Sequence, residues 1–394
     1  MHLLRNFSFL LLTGVILFTG CKKENGSADL ADSSPDDCVQ KATVNSGEIV
    51  EGRYIVAYRT SSVSARGITV QRLNSIGSEV LLKNKISKSA LKQSFAGEPG
   101  GFIANLSADE ASRLSQDENI AIVEPDRIIS LGTCFTVAAP RLITWNVNRV
   151  GYGDGIGKRA WIIDSGIDFD HPDLTVDATN SKSFIDGETS ADDENGHGTH
   201  VAGIIGAKNN TFGVLGIASG ATLVSLRVLD KDGKGLLSSI IQALSYVSTH
   251  ASPGDVVNMS VGDDEGISAA LDQQVRNTAA KGIYIAIAAG NEKELANKYS
   301  PGRTNATNVF TVSATDSLDN FAKFSNYGND VVDYAAPGVR ILSTFTNGRY
   351  AYLSGTSMAA PHVAGLLLLK GSNITSSGSA KNDPDGEPDL IAHY

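Results

Sequence analysis

The apolar residues of this chain come in short runs of two kinds. Around Tyr54, Val56 and Tyr58 they alternate with polar ones, which predicts an edge strand over Arg53–Tyr58. Gly101–Leu106 and Ile120–Val123 read as two more strands, with a short helix between them opened by the capping box Ser107-Ala108-Asp109-Glu110. Further on the runs become continuous: Ala160–Ile163, Asp255–Gly262 and Ile283–Ala289. Continuous apolar runs suit strands of a parallel sheet buried on both faces. Thr199–Ile205 and Ala359–Leu369 are apolar at helical length, and each follows a glycine turn. The pattern predicts a small α/β domain followed by a larger three-layer α/β domain, its sheet largely parallel with helices on both faces.

The termini are different in character. Residues 1–20 read as an export signal, with Arg5 ahead of the apolar core Phe7–Phe18, which is too short to span a membrane. Thr19-Gly20-Cys21 resembles the lipobox of a bacterial lipoprotein signal, which implies lipidation of Cys21. Residues 21–50 are polar and read as a tether; residues 371–394 are read as a polar, solvated C-terminal tail. The 394 residues are 41% hydrophobic, ordinary for a globular protein, and their formal net charge of −10 argues against nucleic acid as a partner.

Candidate chemistry begins at Ser357, between Gly355 and an apolar helical run. There it lies beside unpaired N–H groups and the positive end of the helix dipole. A serine at that place is either a helix cap or a nucleophile whose reaction makes an oxyanion. The deciding question is whether a base, a carboxylate and an oxyanion donor accompany it. His197 lies between Gly196 and Gly198 at the start of an apolar helix, and Asp164 ends a buried strand where open α/β sheets place their sites. His200 stands three residues after His197, but neither an HExxH pattern nor a cysteine cluster supports a metal, so a packed neighbour is expected. Asn291, just beyond the run ending in Ala288, Ala289 and Gly290, is a turn residue or an oxyanion donor. Ser260, Val261 and Gly262 offer backbone to which an extended peptide can add as a strand. The small residues Ala288, Ala289 and Gly290 suit a roomy apolar pocket.

The chain order Asp, His, Ser, without a GxSxG elbow, is not that of an α/β-hydrolase esterase; it is the order in subtilisin. IIDSGID with HPDL, NGHGTHVAG, VLDKDGKG, NMSVG, AIAAGN, KYSPG, FSNYG, AAPG with ILST, and GTSMAAPHVAG occur in order across about Trp145–Leu369. Together they resemble subtilisin-like serine proteases, nearest in pattern to the proteinase K branch. The resemblance implies Ser357 as nucleophile, His197 as general base and acid, Asp164 as its orienter and Asn291 as oxyanion donor. It implies Ser260, Val261 and Gly262 as one side of the substrate cleft and Gly233, Lys234 and Gly235 as the other. Asp333 matches a position that ligates calcium in proteinase K-like enzymes; no cofactor is required. Where the family usually has Asp-Thr-Gly, this chain has Asp164-Ser165-Gly166, which keeps the hydroxyl. Family domains normally continue well past the serine helix, so the final helices are expected to be missing or abbreviated.

Residues 51–131 are similar to the inhibitor-type propeptide of these proteases, a small ferredoxin-like α/β domain, ahead of a catalytic domain over residues 132–370. The resemblance implies self-cleavage between about Leu131 and Pro140, since Trp145–Val150 is similar to the start of mature enzymes. Cys38 and Cys134 are either free thiols or a disulfide that keeps the cut pieces together. The expected partners are protein or peptide substrates with broad preference for apolar or aromatic residues, the chain's own propeptide, and a membrane through the lipid anchor. A monomer exported from a bacterial cell is expected. The competing reading is a catalytically silent binding protein on the same fold.

Overall fold

The computed structural model describes residues 47–59, 69–97, 100–130, 135–137, 142–262 and 266–394. Its first domain runs β1 (Ile49–Tyr58), α1 (Val70–Lys83), β2 (Leu91–Phe95), β3 (Gly101–Asn105), α2 (Ala108–Leu114) and β4 (Ile120–Ser130). These strands pair antiparallel in the order β4-β1-β3-β2, the ferredoxin-like arrangement. The two faces follow from alternation along β1: Val56 and Tyr58 lie in the core with Leu73, Leu81 and Leu114 of the helices, while Ile55 packs the other way. The capping box forms as read, with the Glu110 amide 3.3 Å from Ser107 Oγ and the Ser107 amide 2.8 Å from Glu110 Oε2.

The expected strand Ile120–Val123 is longer than its apolar stretch. β4 continues through Pro125 to Ser130, because its polar residues find partners on the larger domain. Helix α1 and strand β2 were not singled out in the sequence; α1 buries only Leu73, Gly77, Val80 and Leu81, a thin stripe among polar residues.

After β5 (Phe135–Val137), α3 (Trp145–Val150) and β6 (Gly153–Asp154), the chain enters its main sheet at β7 (Arg159–Asp164). It continues through β8 (Lys182–Ser183), α4 (His197–Gly206), β9 (Ala218–Ser219), β10 (Thr222–Arg227), β11 (Lys234–Leu236) and α5 (Leu237–His250). Then come β12 (Val256–Met259), α6 (Ala269–Ala279), β13 (Tyr284–Ala288), β14 (Val309–Thr315), β15 (Val332–Pro337), β16 (Ile341–Phe345) and β17 (Arg349–Leu353). Helix α7 (Thr356–Lys370) and strands β18 (Thr375–Ser379) and β19 (Leu390–His393) complete it.

The main sheet has nine strands in the order β18-β19-β15-β14-β13-β12-β7-β10-β8. All pair parallel except β18 with β19. From β7 the chain builds outward to β10 on one side and to β12 on the other. A crevice beyond the carboxyl ends of β7 and β12 is where such sheets bind ligands. Alternation along β7 sends Ala160 and Ile162 into one core with α4 and α7, and Trp161 and Ile163 into another with α5 and α6. The first domain joins the second core through Ile55, Phe95, Ile103 and Ile129.

Residues 371–394 are not the solvated tail read from their composition. β19 adds to β15 in parallel, with Ile391 opposite Ala335, and Ile391 and Ala392 are fully buried. The apolar pair is what docks; the polar stretch before it, rich in Asp and Pro, forms the return from β18.

Candidate active site

Asp164 is the last residue of β7 and is fully buried. His197 opens α4, its Nδ1 lying 2.8 and 3.0 Å from the two carboxylate oxygens of Asp164. A carboxylate only accepts, so Nδ1 carries the proton and Nε2 presents a lone pair. That Nε2 is buried and has no protein partner. The helix can come this close because residue 198 is glycine: a Cβ there would stand 2.1 Å from the Gly166 carbonyl oxygen.

Asp193 holds the turn around the histidine. Its carboxylate accepts from the Gly196 and Thr199 amides, both at 2.9 Å, and from the hydroxyls of Thr199 at 2.6 Å and Ser165 at 3.0 Å. Ser165 Oγ in turn accepts from the Gly198 amide at 2.9 Å, so the serine that replaces the family's threonine uses its hydroxyl. His200 is buried with Nε2 at 2.9 Å from the Ile341 carbonyl and 3.1 Å from that of Ala351. Burial pushes its pKa down to about 3, which keeps it a neutral hydrogen-bonding core residue. Burial likewise lowers His362 to about 4; its ring joins the Met358 carbonyl and the Asn146 amide, each at 2.8 Å.

Ser357 is the second residue of α7 and 5% exposed. Its hydroxyl donates to the Ser260 carbonyl at 3.3 Å, and its own carbonyl accepts from Ser260 Oγ at 2.8 Å. Asn291 follows β13. Its Oδ1 accepts from the Thr356 amide at 2.9 Å and the Thr356 hydroxyl at 3.1 Å, while Thr356 Oγ1 accepts from the Gly290 amide at 3.1 Å. With its oxygen committed, the Asn291 side chain has only Nδ2 left to donate elsewhere. Thr356, which ties Asn291 to the start of α7, is not singled out by the sequence reading although it stands beside Ser357.

The cleft edges are unequal. Lys234, Gly235 and Leu236 pair antiparallel with Ser130, Ile129 and Ile128 of β4, so this edge carries the end of the first domain. Gly233 lies in the turn before it, its amide 3.0 Å from the Asp230 carbonyl. Across the crevice, β12 ends at Met259, short of Ser260, Val261 and Gly262. A Cβ on Gly262 would stand 3.1 Å from the Ser300 carbonyl oxygen. Ala289 is buried, and its carbonyl accepts from Asn326 Nδ2 at 3.0 Å.

Two acidic residues of β4 reach the larger domain, and both went unassigned in the sequence. Asp126, fully buried, accepts from the Ser238 amide at 2.9 Å, the Ser238 hydroxyl at 2.5 Å and Arg53 Nε at 2.7 Å, which caps α5. Glu124 accepts from the Ser268 hydroxyl and, at 3.3 Å, from the Ala270 amide, which caps α6. Burial raises the pKa of Glu124. The signal available was Glu124-Pro125-Asp126 directly after a strand; nothing local says which helices it meets.

Asp333 accepts from the Thr311 amide at 2.8 Å, and burial pushes its pKa up to about 6. Among the described residues no three His, Cys, Asp or Glu side chains are grouped to hold a metal. Cys21, Cys38 and Cys134 lie outside the described residues.

The Subtilase family profile matches residues 161–378. An extracellular serine proteinase of Thermus sp. is 34% identical over 391 residues, covering 91% of this chain and 88% of that protein. The chain belongs to the Subtilase family. An alkaline serine exoprotease A of Vibrio alginolyticus is 39% identical over 282 residues, which is 68% of this subtilase but only 51% of the Vibrio protein. The crystal structure of a cold adapted subtilisin-like serine proteinase matches with a TM-score of 0.56 and 33% identity, over 64% of this chain and 98% of that one. The subtilase is thus a subtilisin-like serine endopeptidase on a subtilisin-like α/β fold.

Proposed function

We propose that this chain is a self-processing zymogen whose Ser357 hydrolyses peptide bonds through an acyl-enzyme. Ser357 Oγ attacks the carbonyl carbon while His197 Nε2 takes its proton; Asp164 holds the imidazole and stabilises the imidazolium. The oxyanion is met by Asn291 Nδ2 and the Ser357 amide. His197 then returns the proton to the leaving amine, and water releases the acyl group by the same route in reverse. The observation that carries this reading is the buried Asp164–His197 pair, which leaves Nε2 as an acceptor with no protein partner.

Residues 51–131 act as the chain's own inhibitor in this proposal. Support comes from β4, which lies along β11 as a bound peptide strand would and ends at Ser130, just before the expected cut between about Leu131 and Pro140. Broad cleavage after apolar or aromatic residues fits the small residues Ala288, Ala289 and Gly290. A structural calcium at Asp333 would need backbone carbonyls for most of its ligands, since among the described residues no three His, Cys, Asp or Glu side chains are grouped to hold a metal. Export, a lipid at Cys21 and retention of the cut pieces by a Cys38–Cys134 disulfide complete the proposal. The test is to express the full chain and its Ser357→Ala variant and to determine masses and N-termini. Wild type should be cut between residues 131 and 140 and carry a lipid on Cys21, while the variant should stay whole. A Ser357→Ala chain that matures normally refutes self-cleavage. A processed wild type whose Ser357 fails to react with a fluorophosphonate is instead a silent binding protein.

A further inference from the structure

We propose that Ser260 is a positioning residue for Ser357, acting through the Ser357 carbonyl that Pro361 leaves without a helical donor. The inference rests on the reading of Ser357 as nucleophile.

In an α-helix the carbonyl of each residue accepts from the amide four residues later. Four residues after Ser357 stands Pro361, inside α7 and without an N–H. Its ring also crowds the carbonyl of the residue four before it. A buried carbonyl left unpaired is costly, so another donor is required. Ser260 supplies it: its Oγ donates to the Ser357 carbonyl at 2.8 Å. The hydroxyl is itself oriented, because Asn258 Nδ2 donates to it at 2.9 Å. Asn258, Ser260 and Ser357 are 0%, 2% and 5% exposed, so water does not compete freely for these bonds.

The contact is reciprocal, since Ser357 Oγ donates to the Ser260 carbonyl at 3.3 Å. Ser357 is thereby held at two points on the loop that follows β12, next to the strand that carries Asp164. The first bond fixes the peptide plane after Ser357, and with it the direction of the Cα–Cβ bond. The second gives the hydroxyl a defined partner at rest. Val261 and Gly262 share this loop but have no hydroxyl, so the positioning is specific to residue 260.

The test is a double-mutant cycle on the full-length chain after self-processing. Turnover of a peptide anilide is normalised to the amount of fluorophosphonate-labelled serine, which removes differences in maturation. Ser260→Ala should lower kcat about tenfold with KM nearly unchanged. Pro361→Ala restores an amide four residues after Ser357. Alone it should change little, and combined with Ser260→Ala it should recover most of the loss. An equal loss in both backgrounds, or a loss carried by KM, overturns the proposal. If the Pro361→Ala chains do not fold, Ser260→Thr decides: kcat near wild type supports the hydroxyl anchor, and kcat as low as that of Ser260→Ala overturns it. Ser357→Ala is the separate control. Turnover surviving in it removes the nucleophile itself, whatever the cycle shows.

Discussion

The helices on the two faces of the main sheet close their N-termini in opposite ways. On one face, α4 and α7 carry His197 and Ser357, and their first amides are met from within the same domain. Asp193 accepts from Gly196 and Thr199, and Asn291 from Thr356. On the other face, α5 and α6 carry no reactive group and take acceptors from outside, α6 in addition to its own cap, in which Ser268 Oγ accepts from the Leu271 amide at 3.1 Å. Asp126 and Glu124, both on β4 of the first domain, serve Ser238, Ser268 and Ala270. A helix end capped from outside can be uncapped without moving the groups on the opposite face. The difference separates two contacts of the first domain: it pairs along β11 and it adds acceptors to the scaffold helices. Among the described residues it supplies none of the hydrogen bonds that fix Asp164, His197 or Asn291.

The strongest way to break this separation is to disturb the self-contained face. Asn291→Ala removes the donor whose oxygen is tied to Thr356, and kcat should fall roughly 10²–10³-fold with KM little changed. Affinity for the separately added first domain should stay as in wild type, by inhibition titration. If that affinity falls in parallel, the two faces are coupled and the separation is wrong. The complementary change is Asp126→Ala. It removes the α5 cap and the buried partner of Arg53, so inhibition by the first domain should weaken about 10–100-fold. The Asp126→Ala chain should still mature to an enzyme of unchanged kcat, and a lower kcat would show that the α5 cap is needed while the catalytic face forms.

This division was only half legible in the sequence. Asp164, His197, Asn291 and Ser357 each sit at the end of a strongly apolar run, beside glycines that allow close approach, and such local patterns survive translation into structure. The β7, β12 and β13 runs are read for the same reason, being buried on both faces. Asp126 and Glu124 look like ordinary acidic residues around a proline, because their meaning lies in helices more than a hundred residues away. The strand β19 was hidden differently: Ile391 and Ala392 are two apolar residues after a long polar stretch. Composition averaged over residues 371–394 outweighs them, although a single open sheet edge is enough to fix them.

A finer test of the borrowed caps uses pH. Burial raises the pKa of Glu124 in the docked state, with the Ser268 hydroxyl and the amides of Ala269 and Ala270 opposing and Asp272 adding to the rise. A carboxyl whose pKa is higher docked than free favours docking when protonated. Docking strength from this group is therefore full below the free value and declines as pH rises through the docked one. Inhibition by the first domain should weaken on going from acid to neutral pH, and Glu124→Gln should flatten that dependence. A wild-type inhibition constant that does not change over this interval removes Glu124 as a release element.

The smallest expected effect lies on the self-contained side, at the edge strand β19. Asp389 is 4% exposed, and its Oδ2 accepts from the Ser313 hydroxyl at 2.5 Å. Burial pushes its pKa up to about 7, and the nearby carboxylates of Asp383, Asp385 and Asp333 push the same way. The folded value lies above the unfolded one near 4, so stability from this group is complete below that value and lost as pH rises through about 7. What should loosen is the pairing of Ile391 with Ala335 and the hold of Tyr394 on the Val150 carbonyl. Hydrogen-exchange protection factors at Ile391 and Tyr394, with the base-catalysed intrinsic rate divided out, should therefore fall between pH 6 and 8, a range set by that raised pKa. Asp389→Asn keeps the shape without the charge and should hold those protection factors steady over the same range. Because Ala392 packs in the core shared by α4 and α7, this edge is a route by which pH should reach the catalytic face without passing through the first domain. Protection that falls equally in the Asn variant would place the pH sensitivity elsewhere and leave the catalytic face insulated on this side as well.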